Sequence, residues 1–154
     1  MILFWKLYIM NCNQLKFFIV DDDLFCANAY EQYLKNLNYT DILYFATGEE
    51  CLNSLDLKPD VIFLDHNMDD MNGFETLKKI KRYNPNIYVI MVSGQKEINI
   101  AVDALKYGAF DYLVKDHTVC QKMQNSINRI LKIQEEIDKG NRNNGIFRLF
   151  SLFF

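Results

Sequence analysis

Phe17-Phe18-Ile19-Val20-Asp21-Asp22-Asp23 is a run of four apolar residues that stops in three acids. A strand buried on both faces reads as a continuous apolar run rather than as an alternation. The same punctuation recurs along the chain. Val61-Ile62-Phe63-Leu64 ends in Asp65, Tyr88-Val89-Ile90-Met91-Val92 ends in Ser93-Gly94, and Tyr112-Leu113-Val114 ends in Lys115. Segments of helical character lie between the runs. That alternation is the pattern of βαβ units and predicts an α/β fold with a parallel sheet. Ligands of open parallel sheets bind outside the carboxyl ends of the strands. The acids, the hydroxyl and the lysine are therefore expected to converge, and the set suits a divalent metal and a phosphoryl group.

Strands are expected at about 16–21, 41–46, 60–65, 86–93 and 110–115, and helices at about 24–37, 48–57, 73–83, 97–108 and 118–138. In the last helix Val119, Met123, Ile127, Ile130 and Leu131 recur at helical spacing, so one face should be buried. Ile98, Ala101, Val102 and Leu105 predict the same for the fourth helix. Pro59 precedes the third strand, and Asn84-Pro85-Asn86 separates the third helix from the fourth strand, as turn residues do.

One domain is expected over residues 15–138, with residues 1–14 as an N-terminal extension and 139–154 as a C-terminal tail. Lys139-Gly140-Asn141-Arg142-Asn143-Asn144-Gly145 has the composition of a linker, and the segment after it is too short to fold alone. No second domain fits after the linker. Met1 to Met10 is apolar, but it lacks a basic n-region and falls far below the ~20 residues that span a bilayer. Membrane contact of the terminal segments is not expected.

The chain has 154 residues, enough for a full core. A net charge of −3 gives no basic face for nucleic acid, so none is expected as a partner. Cys12, Cys26, Cys51 and Cys120 form no CxxC pair, which argues against a zinc site and a disulfide framework. Free thiols in a reducing cytoplasm are the expectation.

Adjacent carboxylates repel one another unless a cation is present, and hard oxygen ligands suit Mg²⁺. Taken alone, Asp21 and Asp22 would equally well be acids at a helix N-terminus, the role expected of Asp23. Asp65 at the end of a second strand makes the pair a set. A carboxylate held against a metal can attack a phosphoryl group and form an acyl phosphate. Such a transfer needs positioning and charge neutralisation. Lys115 would balance the phosphoryl oxygens and the Ser93 hydroxyl would bond one of them. Singly, Lys115 is equally a snorkelling surface lysine and Ser93 a turn hydroxyl; their shared place at strand ends favours the site. His66 and His117 have no partner at metal-binding spacing and read as solvated loop histidines.

On these residues the chain resembles the receiver domain of bacterial two-component response regulators. The resemblance covers about residues 15–138. It rests on Val20-Asp21-Asp22-Asp23, on Asp65 with Asn67 and the Met71-Asn72-Gly73 turn, on Val92-Ser93-Gly94, and on Tyr112-Leu113-Val114-Lys115. It implies a flavodoxin-like, five-stranded parallel sheet of order 2-1-3-4-5 with five surrounding helices. It also implies that Asp65 is the phosphoacceptor. Asp22, Asp65 and the Asn67 backbone carbonyl would hold Mg²⁺, with Asp21 helping through water. Ser93 and Tyr112 would form the switch pair that reports phosphorylation to the helix 4–strand 5–helix 5 face. Asn67 and Gln95 fall where side chains tune loss of the phosphoryl group.

Two positions depart from the family pattern, which usually has Pro where this chain has Asp69 and Pro again where it has Asp116. A cis bond before a residue other than proline costs about 2.5–4 kcal/mol. The Lys115–Asp116 bond is therefore expected to be trans, with the loop through His117 re-routed so that Lys115 still reaches Asp65.

The expected function is that of a stand-alone cytoplasmic receiver. It would accept a phosphoryl group on Asp65 from a histidine kinase or a histidine phosphotransfer protein, in a Mg²⁺-dependent phosphorelay. It would catalyse only its own aspartyl phosphorylation and dephosphorylation, and signal by protein contact through the helix 4–strand 5–helix 5 face. The alternative is a phosphorylation-independent interaction module of the same fold; the intact Asp22, Asp65 and Lys115 argue against it. A haloacid-dehalogenase-like phosphatase would carry a second Asp where this chain has Asn67. A flavodoxin-like flavin binder would carry a neutral phosphate loop, whereas Asp21-Asp22-Asp23 repels a phosphate without a metal.

Overall fold

A computed structural model of the chain describes residues 15–69 and 71–150, with residues 142–150 by backbone alone. The strands are β1 (Phe17–Val20), β2 (Ile42–Phe45), β3 (Val61–Asp65), β4 (Tyr88–Ser93) and β5 (Asp111–Val114). The helices are α1 (Leu24–Asn36), α2 (Gly48–Asn53), α3 (Gly73–Tyr83), α4 (Ile98–Lys106) and α5 (Val119–Phe150). The strands form one parallel sheet of order β2-β1-β3-β4-β5, as expected. Every residue of β1 and β3 is buried, which explains why neither run alternates. On one face Phe18, Val20, Ile62, Leu64, Val89 and Met91 share a core with Leu77 and Ile80 of α3.

Local chemistry sets the helix starts. Asp23 caps α1, its Oδ1 accepting from the backbone N–H of Phe25 at 2.9 Å. Thr47 caps α2 and Asn72 caps α3 by the same device. The Gly73 N–H donates to the His66 carbonyl at 2.9 Å, so α3 begins hard against the end of β3.

Three expectations change. The helix read over 48–57 breaks after Asn53, and Leu55–Leu57 forms a separate 3₁₀ turn closed by Lys58 in the left-handed region. The apolar stripe of α4 is not its buried face. Ile98, Val102 and Leu105 are 79%, 42% and 51% exposed, and Ala104 is the buried residue. Ala101, at the edge of that stripe, is half-buried, and Ala104 lies one helical step, roughly 100°, round from Leu105. Alanines let the helix backbone come close, and the larger side chains are left at the rim. Finally, α5 does not stop near residue 138 but continues through the linker-like stretch. That stretch has no proline, and Lys139 pairs back to Glu135 at 3.1 Å and Glu136 at 3.2 Å. Asn and Gly weaken a helix by about 0.5–1 kcal/mol each without breaking it.

The chain forms two compact units, one ending at Cys120 and the other beginning at Gln121. In the second, Met123, Ile127 and Ile130 are buried as expected, but Leu131 is 37% exposed. Cys26, Cys51 and Cys120 are free thiols. Cys12, the N-terminal extension of residues 1–14 and the end of the tail, 151–154, lie outside the described residues.

The α3 start admits no side chain at residue 73. A Cβ there would collide with the Asp65 carbonyl oxygen and stand 2.8 Å from the His66 Cα, both backbone atoms of the β3 terminus. Gly73→Ala is expected to destabilise the protein by about 2–3 kcal/mol, the scale of overpacking against atoms that cannot yield. Urea unfolding followed by circular dichroism measures it.

Candidate functional site

Register assembles the site. Val20 of β1 aligns with Leu64 of β3, so Asp21 and Asp65 leave neighbouring strands side by side. Asp65 aligns with Val92, and Ser93 with Val114, which places Ser93 and Lys115 one step further along the same edge. The Lys115 N–H donates to the Ser93 carbonyl at 2.7 Å and prolongs the β4–β5 ladder.

Asp21 and Asp65 are buried, 1% and 5% exposed, while Asp22 is exposed. A carboxylate oxygen from each of the three lies within 4.8 Å of the other two. Lys115 Nζ donates to Asp21 Oδ2 at 2.7 Å and sits 3.2 Å from Asp65 Oδ1. The Asp23 N–H holds the other Asp21 oxygen at 2.9 Å. Three carboxylates less one ammonium leave a formal charge of −2, the charge a divalent cation balances.

Burial pushes the Asp65 carboxyl up to about 6, with the negative charge of Asp21 adding to the effect. Lys115 and the Asn67 N–H oppose the rise. For Lys115 burial acts downward, but the Asp21 hydrogen bond and the two carboxylates outweigh it and hold its pKa above the ordinary value. The lysine is a firm cation between two acids.

The remaining expected residues fall around this centre. Ser93 is fully buried, and its Oγ accepts from the Gln95 N–H at 3.1 Å. The Tyr112 hydroxyl donates to the Gln95 carbonyl at 3.0 Å, so Tyr112 is tied to the loop that carries Ser93. Asn67 and Asp69 are exposed, and the Asn67 amide reaches the Asp65 carboxylate. The Lys115–Asp116 bond is trans, and Lys115 reaches both acids.

His117 is exposed as expected, but His66 is not a solvated loop residue. It is 8% exposed, its ring packs edge-on against Phe74 at 4.6 Å, and burial lowers its pKa. The α3 start, pinned to its carbonyl by Gly73, brings Phe74 over the ring. Two contributors escaped the sequence reading. The Tyr44 hydroxyl donates to the Asp21 carbonyl at 3.0 Å from the neighbouring strand β2. Thr118 bonds Asp116 beside the lysine, at 2.8 Å through its N–H and 2.6 Å through its hydroxyl. Nothing in a tyrosine within a strand signals the first; the Asp-x-Thr spacing after Lys115 does signal a side-chain turn.

The sequence and fold match those of known proteins. The response regulator receiver domain family model matches residues 17–128. The regulatory protein LuxO of Vibrio cholerae is 30% identical over 132 residues, 81% of this chain and 28% of that protein, so the chain spans little more than a quarter of it. The chemotaxis protein CheY of Listeria monocytogenes is 35% identical over 102 residues, 66% of this chain and 86% of that protein. Among solved structures, the CheX–CheY–BeF₃–Mg²⁺ complex of Borrelia burgdorferi contains a chain 26% identical with a TM-score of 0.71; the likeness covers 75% of this chain and 88% of that one.

The raised Asp65 carboxyl makes stability depend on pH. Between the ordinary value of 3.8 and about 6, the folded protein keeps a proton that the unfolded chain has released. Stability of the metal-free protein therefore falls as pH rises through that window, and the loss is complete above it. Asp65→Asn removes the buried charge and keeps the shape. It should stabilise the protein at pH 7.5 by about 2–3 kcal/mol and leave it nearly unchanged at pH 4. Calorimetric melts in EDTA at the two pH values test this; equal effects at both would contradict the assignment.

Proposed function

This chain belongs to the response regulator receiver domain family, the phosphoacceptor module of two-component signalling, and we propose that its phosphoryl group is carried on Asp65. The observation that carries the reading is the Lys115 ammonium held between the buried Asp65 and Asp21, with Asp22 beside them. A donor phosphohistidine presents its phosphorus to an Asp65 oxygen. The P–N bond breaks as the P–O bond forms, and the imidazole keeps the electron pair. Lys115 exchanges one carboxylate for a phosphoryl oxygen, and the Ser93 hydroxyl donates to another. Only positioning and charge are required.

The donor set of hard oxygens and its charge of −2 fit Mg²⁺. Asp22, Asp65 and the Asn67 carbonyl would hold it, with Asp21 helping through water. Bound there, the ion would neutralise the acids and the incoming phosphoryl oxygens. The BeF₃–Mg²⁺ complex of the Borrelia chain supports the same occupancy here.

The signal passes from Ser93 through the Gln95 loop to Tyr112, whose hydroxyl already bonds that loop. The exposed Ile98, Val102 and Leu105 of α4 supply apolar surface for a downstream protein. Asn67 and Gln95 flank the phosphoryl position and set how fast water removes the group. The donor is a histidine kinase or a histidine phosphotransfer protein, and the protein works in the cytoplasm, where its free thiols stay reduced. Among the described residues no helix is long and apolar enough to cross a membrane.

Incubation with acetyl phosphate and Mg²⁺ should add one phosphoryl group by intact mass, and EDTA or Asp65→Asn should abolish the addition. Full incorporation into Asp65→Asn would sink the assignment. Asp22→Ala should remove most Mg²⁺ binding in titration calorimetry, because Asp22 is the proposed direct ligand. Asp23→Ala should leave binding nearly intact and cost about 1 kcal/mol of stability, because Asp23 caps α1. Equal losses of binding would refute that division of roles.

A further inference from the structure

The residue after Lys115 departs from the family pattern, and the structure shows what takes over there. Lys115 is fixed at its backbone by the sheet, through its N–H on the Ser93 carbonyl. The chain must then leave the sheet and enter α5 at Val119. It does so over Asp116 to Val119. The Asp116 carbonyl accepts from the Val119 N–H at 3.1 Å. Asp116 Oδ1 accepts from the Thr118 N–H at 2.8 Å and from the Thr118 hydroxyl at 2.6 Å. One aspartate thus closes the turn with both its backbone and its side chain.

We infer that Asp116 is a positioning residue, whose side-chain turn on Thr118 aims Lys115 at Asp21 and Asp65. A lysine stem has high rotamer entropy, and its ammonium stays on two targets only if the backbone delivers it in the right direction. The direction of the Lys115 Cα–Cβ bond is set on one side by the β4–β5 ladder and on the other by this turn. Asparagine offers Thr118 the same acceptor oxygen.

The inference rests on Lys115 serving phosphoryl transfer to Asp65, and two readouts keep the two claims apart. In the first, transfer from acetyl phosphate at saturating Mg²⁺ is timed by intact mass. Asp116→Ala should slow it about tenfold, the order of a lost hydrogen-bonded arrangement. Asp116→Asn should restore the wild-type rate, and Thr118→Val, which keeps the backbone N–H, should fall between. In a Lys115→Ala background Asp116→Ala should add no further slowing, because the lysine it aims is gone. A tenfold effect that persists in that background, or no rescue by Asn, would overturn the inference.

The second readout needs no phosphoryl group. Acetylation of Lys115 by an N-hydroxysuccinimide ester is followed by peptide mass spectrometry. It should be slow in wild type and Asp116→Asn, where the ammonium is paired and 20% exposed, and several-fold faster in Asp116→Ala. Equal rates in all three would refute positioning, whatever the first readout shows. If wild type accepts no phosphoryl group, the proposed function fails and acetylation alone decides the role of Asp116.

Discussion

Asp21 and Asp65 leave adjacent strands side by side, and both are almost wholly withheld from water. Two carboxylates in that position repel, and burial raises the energy of each charge. The Lys115 ammonium between them makes the arrangement tolerable in the folded protein. It does not remove the tension, since the Asp65 carboxyl is still pushed up to about 6. A fold chosen for stability alone would put apolar residues here. The retained charge is therefore a physical sign of a functional site and not of a merely structural one.

The rest of the molecule holds that edge still. The fully buried strands β1 and β3 fix where the two acids emerge. Register with β4 and β5 then places the backbone of Ser93 and Lys115 along the same edge. Gly73 lets α3 start against the β3 terminus, and that contact turns His66 inward under Phe74. A polar constellation is accurate when its members stand on rigid elements, and here each stands at the end of a strand.

The strands, their parallel order and the polar residues at their ends were legible because each depends on a local pattern. An apolar run that stops in a charge is visible in one dimension, and so are Asp21, Asp65, Ser93 and Lys115. The hidden features depend on rotation and on neighbours. Periodicity showed that α4 has an apolar stripe, but the side that meets the core is the one that carries the small Ala104. Composition suggested a linker after Asp138, but helix weakness is a matter of degree and the chain stayed helical. His66 looked solvated because nothing nearby in sequence announces that Phe74 will lie over it. The hydrogen bond from Tyr44 joins residues far apart in the chain, and no spacing rule reaches it.

The way α4 is seated also shapes how the molecule fluctuates. Its wholly buried side chain is the methyl group of Ala104, whereas α3 inserts Leu77 and Ile80 along with Thr76. Burying one methyl contributes about 0.8 kcal/mol, against about 1.5–3 kcal/mol for each large aliphatic. Lifting or rolling α4 thus withdraws one small side chain from the central core. Segments of that kind open well below the free energy of global unfolding, and their amides trade hydrogen for deuterium first. α4 follows directly on the loop that carries Ser93 and Gln95, and an element that puts so little apolar surface into the core is one whose conformers a small difference in energy can redistribute.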